Sequence, residues 1–314
     1  MINSDDINKW KKEGYFIGKN IINKDLILRS HNMIKDMYMN NKLNVDDFGS
    51  QGKLEFPSNT ILDKIMVNEN LIKIIQKLLN HEDILLVQAD AWGKKGKDDL
   101  SESSNNNQRM HMDYGNNTFL HPSHWNNPEC VAMIIYLSDI KETSGGTSIV
   151  PKNEETEKLY QFPYKNMPGI SNNPFINDKN SAEEYFNKHD QEIYNFRKEL
   201  YKNELILEPN MGDILFYRLD SWHRGTPVMN GKVRFVINLL WKKKECYWIN
   251  CWNPGWTKNM YYSYIENLIT NMTPLQRSVL GIPKPGDKYW TKETINLLKM
   301  RYPKINIQHY IDKL

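Results

Sequence analysis

The chain has 314 residues, 41 Lys and Arg against 38 Asp and Glu, and a formal net charge of +3. So balanced a charge, with Lys242-Lys243-Lys244 as its only basic run, argues against a nucleic-acid partner, whose phosphates demand clustered cations. No stretch approaches membrane-spanning length, the opening MINSDDINKW has no apolar signal core, and Cys130, Cys246 and Cys251 lack any C-x-x-C spacing, so a cytoplasmic protein with no membrane partner, disulfide scaffold or zinc ribbon is expected.

Taken in chain order, Ser4 reads as the N-cap of a first helix ending at Gly14, followed by helices over 24–39 and 69–79. The strand Ile84–Trp92 places Leu86, Gln88, Asp90 and Trp92 on one face and Leu85, Val87, Ala89 and Ala91 on the other. Its polar face points either at a site or at solvent. The polar run 93–108 predicts a loop, either a gate or a passive hairpin tip. Arg109–Tyr114 then reads as a strand, and Val131–Ile140 as a buried one. Gly145-Gly146 predicts a tight turn.

Between 181 and 203, Tyr185, His189, Ile193, Phe196 and Leu200 recur at helical spacing and predict one amphipathic helix. A strand over 204–207, a turn at Met211-Gly212-Asp213 and a strand over 214–217 follow. Val233–Trp241 reads as a strand, with Lys242–Lys244 its solvated end. The aromatic-rich part from Cys246 to Leu314 is expected to pack on the core, ending in a helix over 291–300 that Pro303 stops.

The chemistry concentrates in His111-Met112-Asp113, His223 and Arg234. Strand pleating projects His111 and Asp113 the same way, so both reach one ion, and two imidazoles with one carboxylate are the ligand set of a facial triad that leaves iron(II) positions open. Arg234 shares a strand face with Val236, Asn238 and Leu240, with no acid in the strand, so a bound dicarboxylate is its candidate partner. Gln88 and Asn238 are candidates for amide contacts to cosubstrate or substrate. His121 and His124 are rival ligands in a Pro-containing loop, where exposed or structural histidines are the rule; His124 and Trp125 are candidate substrate contacts.

These residues resemble the phytanoyl-CoA dioxygenase family of iron(II)- and 2-oxoglutarate-dependent oxygenases, patterned as H-x-D, a distal His, and an Arg ten or eleven residues later. The stretches from Ser4 to Phe16, Ser144–Pro151 and Trp222–Pro227 resemble further landmarks of that family; after Pro151, Lys152-Asn153-Glu154 replaces its Gly-Ser-His. The resemblance implies a mainly β protein with flanking α: a double-stranded β-helix (jelly roll, cupin-like) at about 81–245, a helical N-terminal part at about 1–80, a helical insertion at about 154–203 and a C-terminal extension at about 246–314, all one domain over 1–314. Such an insertion is a candidate lid, or else a surface helix.

The resemblance further implies Fe(II) on His111, Asp113 and His223, and 2-oxoglutarate held through Arg234. O2 would oxidise a small-molecule substrate by hydroxylation, with release of succinate and CO2. Thr226 is a candidate hydroxyl partner of the cosubstrate, although the family's hydroxyl commonly stands two residues after the histidine, where this chain has Gly225. Members that halogenate replace the carboxylate that Asp113 retains. Two other readings of the residues stay open: a zinc-dependent hydrolase on the same ligands, and a non-catalytic module that binds metal and 2-oxoglutarate.

Overall fold

A computed structural model describes residues 2–43, 52–56, 58, 60–97, 105–114, 118–249, 266, 269–274, 277 and 282–314. The described elements run α1 (Ser4–Glu13), β1 (Tyr15–Gly18), α2 (Lys24–Met39), β2 (Lys53–Glu55), α3 (Asp63–Met66), α4 (Glu69–Leu79), β3 (Ile84–Lys95), β4 (Cys130–Tyr136), α5 (Ile140–Thr143), β5 (Thr147–Ile149), α6 (Lys179–His189), α7 (Gln191–Lys202), β6 (Leu205–Ile206), β7 (Ile214–Tyr217), β8 (His223–Gly225), β9 (Val233–Lys243), α8 (Lys292–Arg301) and α9 (Gln308–Ile311). No described helix is long and apolar enough to cross a membrane.

The strands form two antiparallel sheets, one ordered β1-β7-β4-β9-β3-β2 and one ordered β6-β5-β8. Alternation assigns the two faces of the large sheet. Val131, Met133 and Ile135 of β4, with Phe235, Ile237 and Leu239 of β9, pack under the N-terminal helices against Ile34, Leu71, Ile75 and Leu78. Ala132, Tyr136, Val236 and Leu240 face the other way and share a core with Ile149 of the small sheet. This is the expected jelly-roll arrangement, mainly β with flanking helices, and it leaves the space between the sheets for a site.

Several expected boundaries shift for identifiable reasons. Helix α1 is capped by Asn3 rather than Ser4, because Asn3 and Asp6 close a reciprocal capping box. In β3 the register slips between Leu86 and Gln88, so Leu86 turns to the helix side while Gln88 and Trp92 line the interior. The strand also runs through Gly93 to Lys95, shortening the loop expected from 93; residues 98–104 lie outside the described ones.

Strand β4 stops at Tyr136, because Asp139 caps α5. The single helix expected over 181–203 is two. Asp190 leaves helical geometry at φ −151 and caps α7 through the Ile193 amide. Lys242 is not solvated: it is buried, and its ammonium donates to the carbonyls of Cys246 and Ile249 at 3.1 and 2.6 Å. The C-terminal helices pack on the core as expected, with Arg301 donating to the Thr118 carbonyl and Tyr302 to that of Phe119.

Candidate active site

The ligand segment Arg109–Tyr114 is not the regular strand expected of it. It is held by isolated bridges, Gln108 with Asp178 and His111 with His223, and turns at Asp113. His111 and His223 exchange both backbone hydrogen bonds, each 2.9 Å, and the Asp113 amide reaches the Leu219 carbonyl at 3.1 Å. Helices α6 and α7 buttress the same backbone. Arg197 donates to the Met110 carbonyl at 3.2 Å, the Tyr201 hydroxyl accepts from the Met110 amide at 2.9 Å, and Glu183 pairs with Arg197 at 2.7 Å.

These constraints bring His111, Asp113 and His223 together, with one ligand atom of each within 4.8 Å of the others, and no other such cluster exists among the described residues. Each histidine's Nε2 lies 3.5 Å from Asp113 Oδ1. Each Nδ1 is 3.0 Å from a backbone carbonyl, that of Arg109 for His111 and of Ser221 for His223. A carbonyl only accepts, so Nδ1 carries the proton and Nε2 presents its lone pair to the common point. Tyr217 donates to Asp113 Oδ2 at 2.8 Å and leaves Oδ1 facing the imidazoles.

The electrostatics suit a cation. Burial and the neighbouring Arg109 and His223 lower the His111 pKa to about 3, so its ring is neutral. Burial pushes the Asp113 carboxyl up, but the adjacent His223 and His111 outweigh it and hold it well below its usual range. His223 goes the other way: burial lowers its pKa, but Asp113 outweighs burial and raises it, so this ring shares a proton with the carboxylate where a metal would otherwise sit. Two imidazole nitrogens and a carboxylate match the nitrogen and oxygen preferences of a divalent first-row ion.

A cavity of about 300 Å³ opens from this cluster and runs between the sheets to Arg234. Arg234 is buried, donates to the Gly145 carbonyl and stands 5.0 Å from the Trp92 ring centre. Its Nε has no hydrogen-bond partner, and no described carboxylate lies within ion-pair distance. An orphaned guanidinium donor buried in such a cavity fits a carboxylate-bearing ligand.

The remaining predicted residues divide. Gln88 and Asn238 line the cavity, Gln88 donating to Asp90 at 2.7 Å while Asn238 Oδ1 lacks a partner. Thr226 is buried and does not line it; its hydroxyl donates to the Gly146 carbonyl at 2.7 Å. His121 is buried against Tyr114 and Phe162, His124 is exposed, and Trp125 stacks on Arg218 at 3.7 Å. None of these three reaches the cluster or the cavity. Gly145 makes its turn at φ 75, as anticipated.

Sequence reasoning missed Tyr217, Lys94, Phe175 and Asn177, all of which line the cavity, as does Trp92 on the face it shares with Gln88. Lys94 continues the alternation Gln88, Asp90, Trp92 and was readable had the strand been carried past Gly93. Phe175 and Asn177 come from the stretch just before α6, so the inserted region touches the cavity through its loop and not through its helices.

No family model matches the sequence, and no curated protein is similar to it by sequence. Solved structures share the fold. SnoK, a non-heme alpha-ketoglutarate-dependent carbocyclase from nogalamycin biosynthesis, aligns with a TM-score of 0.56 and 11% identity over 81% of this chain and 89% of its own. SnoN, an epimerase solved with Fe3+, alpha-ketoglutarate and nogalamycin RO, gives 0.53 and 10% over 86% and 91%. HygX from Streptomyces hygroscopicus, solved with nickel and 2-oxoglutarate, gives 0.51 and 10% over 78% and 88%. At such identities the likeness is one of fold.

Proposed function

We propose that this chain is an iron(II)- and 2-oxoglutarate-dependent dioxygenase, a single cytoplasmic domain over 1–314, that hydroxylates a small molecule with release of succinate and CO2. One observation carries the reading. A single cavity joins a two-imidazole, one-carboxylate cluster to a buried guanidinium that lacks a carboxylate. In a hydrolytic zinc site Arg234 would instead be a structural or substrate clamp and oxygen would be irrelevant, so cosubstrate chelation separates the two readings. The fold shared with SnoK, SnoN and HygX supports the reading, since their names or bound ligands specify 2-oxoglutarate or its synonym.

Fe(II) with 2-oxoglutarate and O2 supplies the oxidising power when bound. The chain's residues hold and orient. His111, Asp113 and His223 would take the metal on one face, and Tyr217 would keep Asp113 in its ligating orientation. Arg234 would take the far carboxylate, while the wall formed by Trp92 and Leu240 excludes water and strengthens that ion pair. Gln88 and Asn238 would offer amides to the cosubstrate or substrate. Phe175, Asn177 and Gln108 would frame the substrate's entry. The Asp113 carboxylate favours oxygen insertion or desaturation over halogenation, while neighbours of the same fold are named as a carbocyclase and an epimerase.

The test is an anaerobic titration of metal-free protein with iron(II), then 2-oxoglutarate, beside Arg234→Ala. A visible metal-to-ligand charge-transfer band that weakens in the variant is expected. No band at saturating cosubstrate, with zinc found in the protein as purified and succinate never formed, returns the hydrolase reading.

A further inference from the structure

Lys94 and Arg234 are direct cross-strand partners in the β3–β9 ladder, so their side chains leave the sheet side by side on one face. Both line the cavity, and only 5% and 3% of their surfaces are exposed. Like charges directly opposite each other repel, and burying even one without a counter-ion is costly. Yet among the described residues no carboxylate lies within ion-pair distance of either, and Arg224, the further cation beside Lys94, is itself paired with Glu204 at 2.6 Å. The two cations meet only backbone oxygens, Lys94 Nζ that of Thr226 at 3.0 Å and Arg234 Nη1 that of Gly145.

The ammonium lies against the turn after His223. A Cβ on Gly225 would stand 2.7 Å from Gln108 Oε1 and in ordinary contact, 3.5 Å, with Lys94 Nζ, so the bare glycine lies directly beside the amine. Burial, with Arg234 and Arg224 beside it, holds the Lys94 pKa well below its ordinary value. An arriving anion reverses that balance, because opposite charge favours the protonated amine.

We propose that Lys94 is a second anchor for the distal carboxylate of 2-oxoglutarate, so that this end of the cosubstrate is held by two cations. The inference rests on the cosubstrate reading above. A carboxylate has two oxygens, each able to accept more than one hydrogen bond; the flexible ammonium takes one oxygen and the fixed guanidinium fork the other. The pair therefore selects a dicarboxylate over a 2-oxo acid with an apolar tail.

The experiment is calorimetric titration of manganese-loaded protein, without iron chemistry, using 2-oxoglutarate and 2-oxovalerate, which has the same chain length but no distal carboxylate. Wild type should prefer 2-oxoglutarate. Lys94→Met should narrow that preference by about tenfold or more, the worth of one charge-assisted contact, with the affinity for 2-oxovalerate unchanged. The unchanged 2-oxovalerate affinity also verifies that the variant folds. Lys94→Gln, which can still donate to the Thr226 carbonyl without a charge, should narrow it equally.

If both variants keep the wild-type preference while Arg234→Met loses it, Arg234 is the sole anchor and the inference fails with the cosubstrate reading intact. If wild type binds neither acid, the cosubstrate reading itself fails.

Discussion

Tyr217 donates its hydroxyl to Asp113 Oδ2 at 2.8 Å, across the cavity from one sheet to the ligand segment of the other layer. The contact leaves one carboxylate oxygen for a metal, and it joins the most regular part of the fold to its least regular one. Tyr217→Phe removes the hydroxyl and nothing else. The expected outcome is manganese affinity weaker by about tenfold to a hundredfold, the usual effect of losing an outer partner of a ligand. Thermal stability should be nearly unchanged. Titration of metal-free protein, with a melting curve alongside, checks both; a large loss of stability with unaltered metal binding would contradict it.

The Glu183–Arg197 pair should matter for folding and, through it, for the site. Arg197 is fully buried and also reaches the Met110 carbonyl, next to His111. Glu183→Gln leaves that guanidinium without its charge partner, at a cost of about 3 kcal/mol. Urea unfolding should show the loss. Metal affinity should fall with it, because the ligand segment loses its support.

Acid should weaken the link between β6 and β8. Burial alone would raise the Glu204 pKa, but its hydrogen bonds from Arg224 and Ser148 lower it below the ordinary 4.5. A carboxylate with a lowered folded-state value stabilises the fold above the unfolded-chain value, and that contribution disappears as pH falls through the folded one. Melting temperatures recorded from neutral pH downward should therefore drop below about pH 4.5 in wild type. Glu204→Gln should start lower at neutral pH and lose less on acidification.

Gly146 carries a packing constraint. A Cβ there would clash with the Leu207 backbone carbonyl, which no rotamer change can move. Gly146→Ala should destabilise the protein by about 1–3 kcal/mol, as overpacking does. Because the carbonyl of residue 146 receives the Thr226 amide at 3.0 Å, any shift is transmitted to the turn after His223. Denaturation midpoints test the size of the effect.

Much of this was legible without coordinates, for reasons visible in particular residues. The helices at 24–39 and 69–79 match to the residue because their apolar positions repeat at the helical period and Asn23 and Asn68 cap them. The face of β9 that carries Arg234, Val236, Asn238 and Leu240 followed from pleating alone. Errors fell where local pattern and tertiary contact disagree. A bulge at Leu86–Gln88 flips a strand face without any mark in the alternation, and Asp190 breaks a helix whose apolar spacing runs straight through it.

His111, Asp113, His223 and Arg234 could be named from the sequence because their types and order resemble one family's pattern, and residue type and order are properties of the chain itself. Their partners could not. Tyr217, Lys94, Phe175 and Asn177 reach the cavity from separate elements, and Thr226 looked available for a ligand until its hydroxyl was found on the Gly146 carbonyl. Periodicity tells which side of its own strand a residue occupies. Only the packing of one sheet against the other decides what meets it there, because that depends on contacts between residues far apart in the chain.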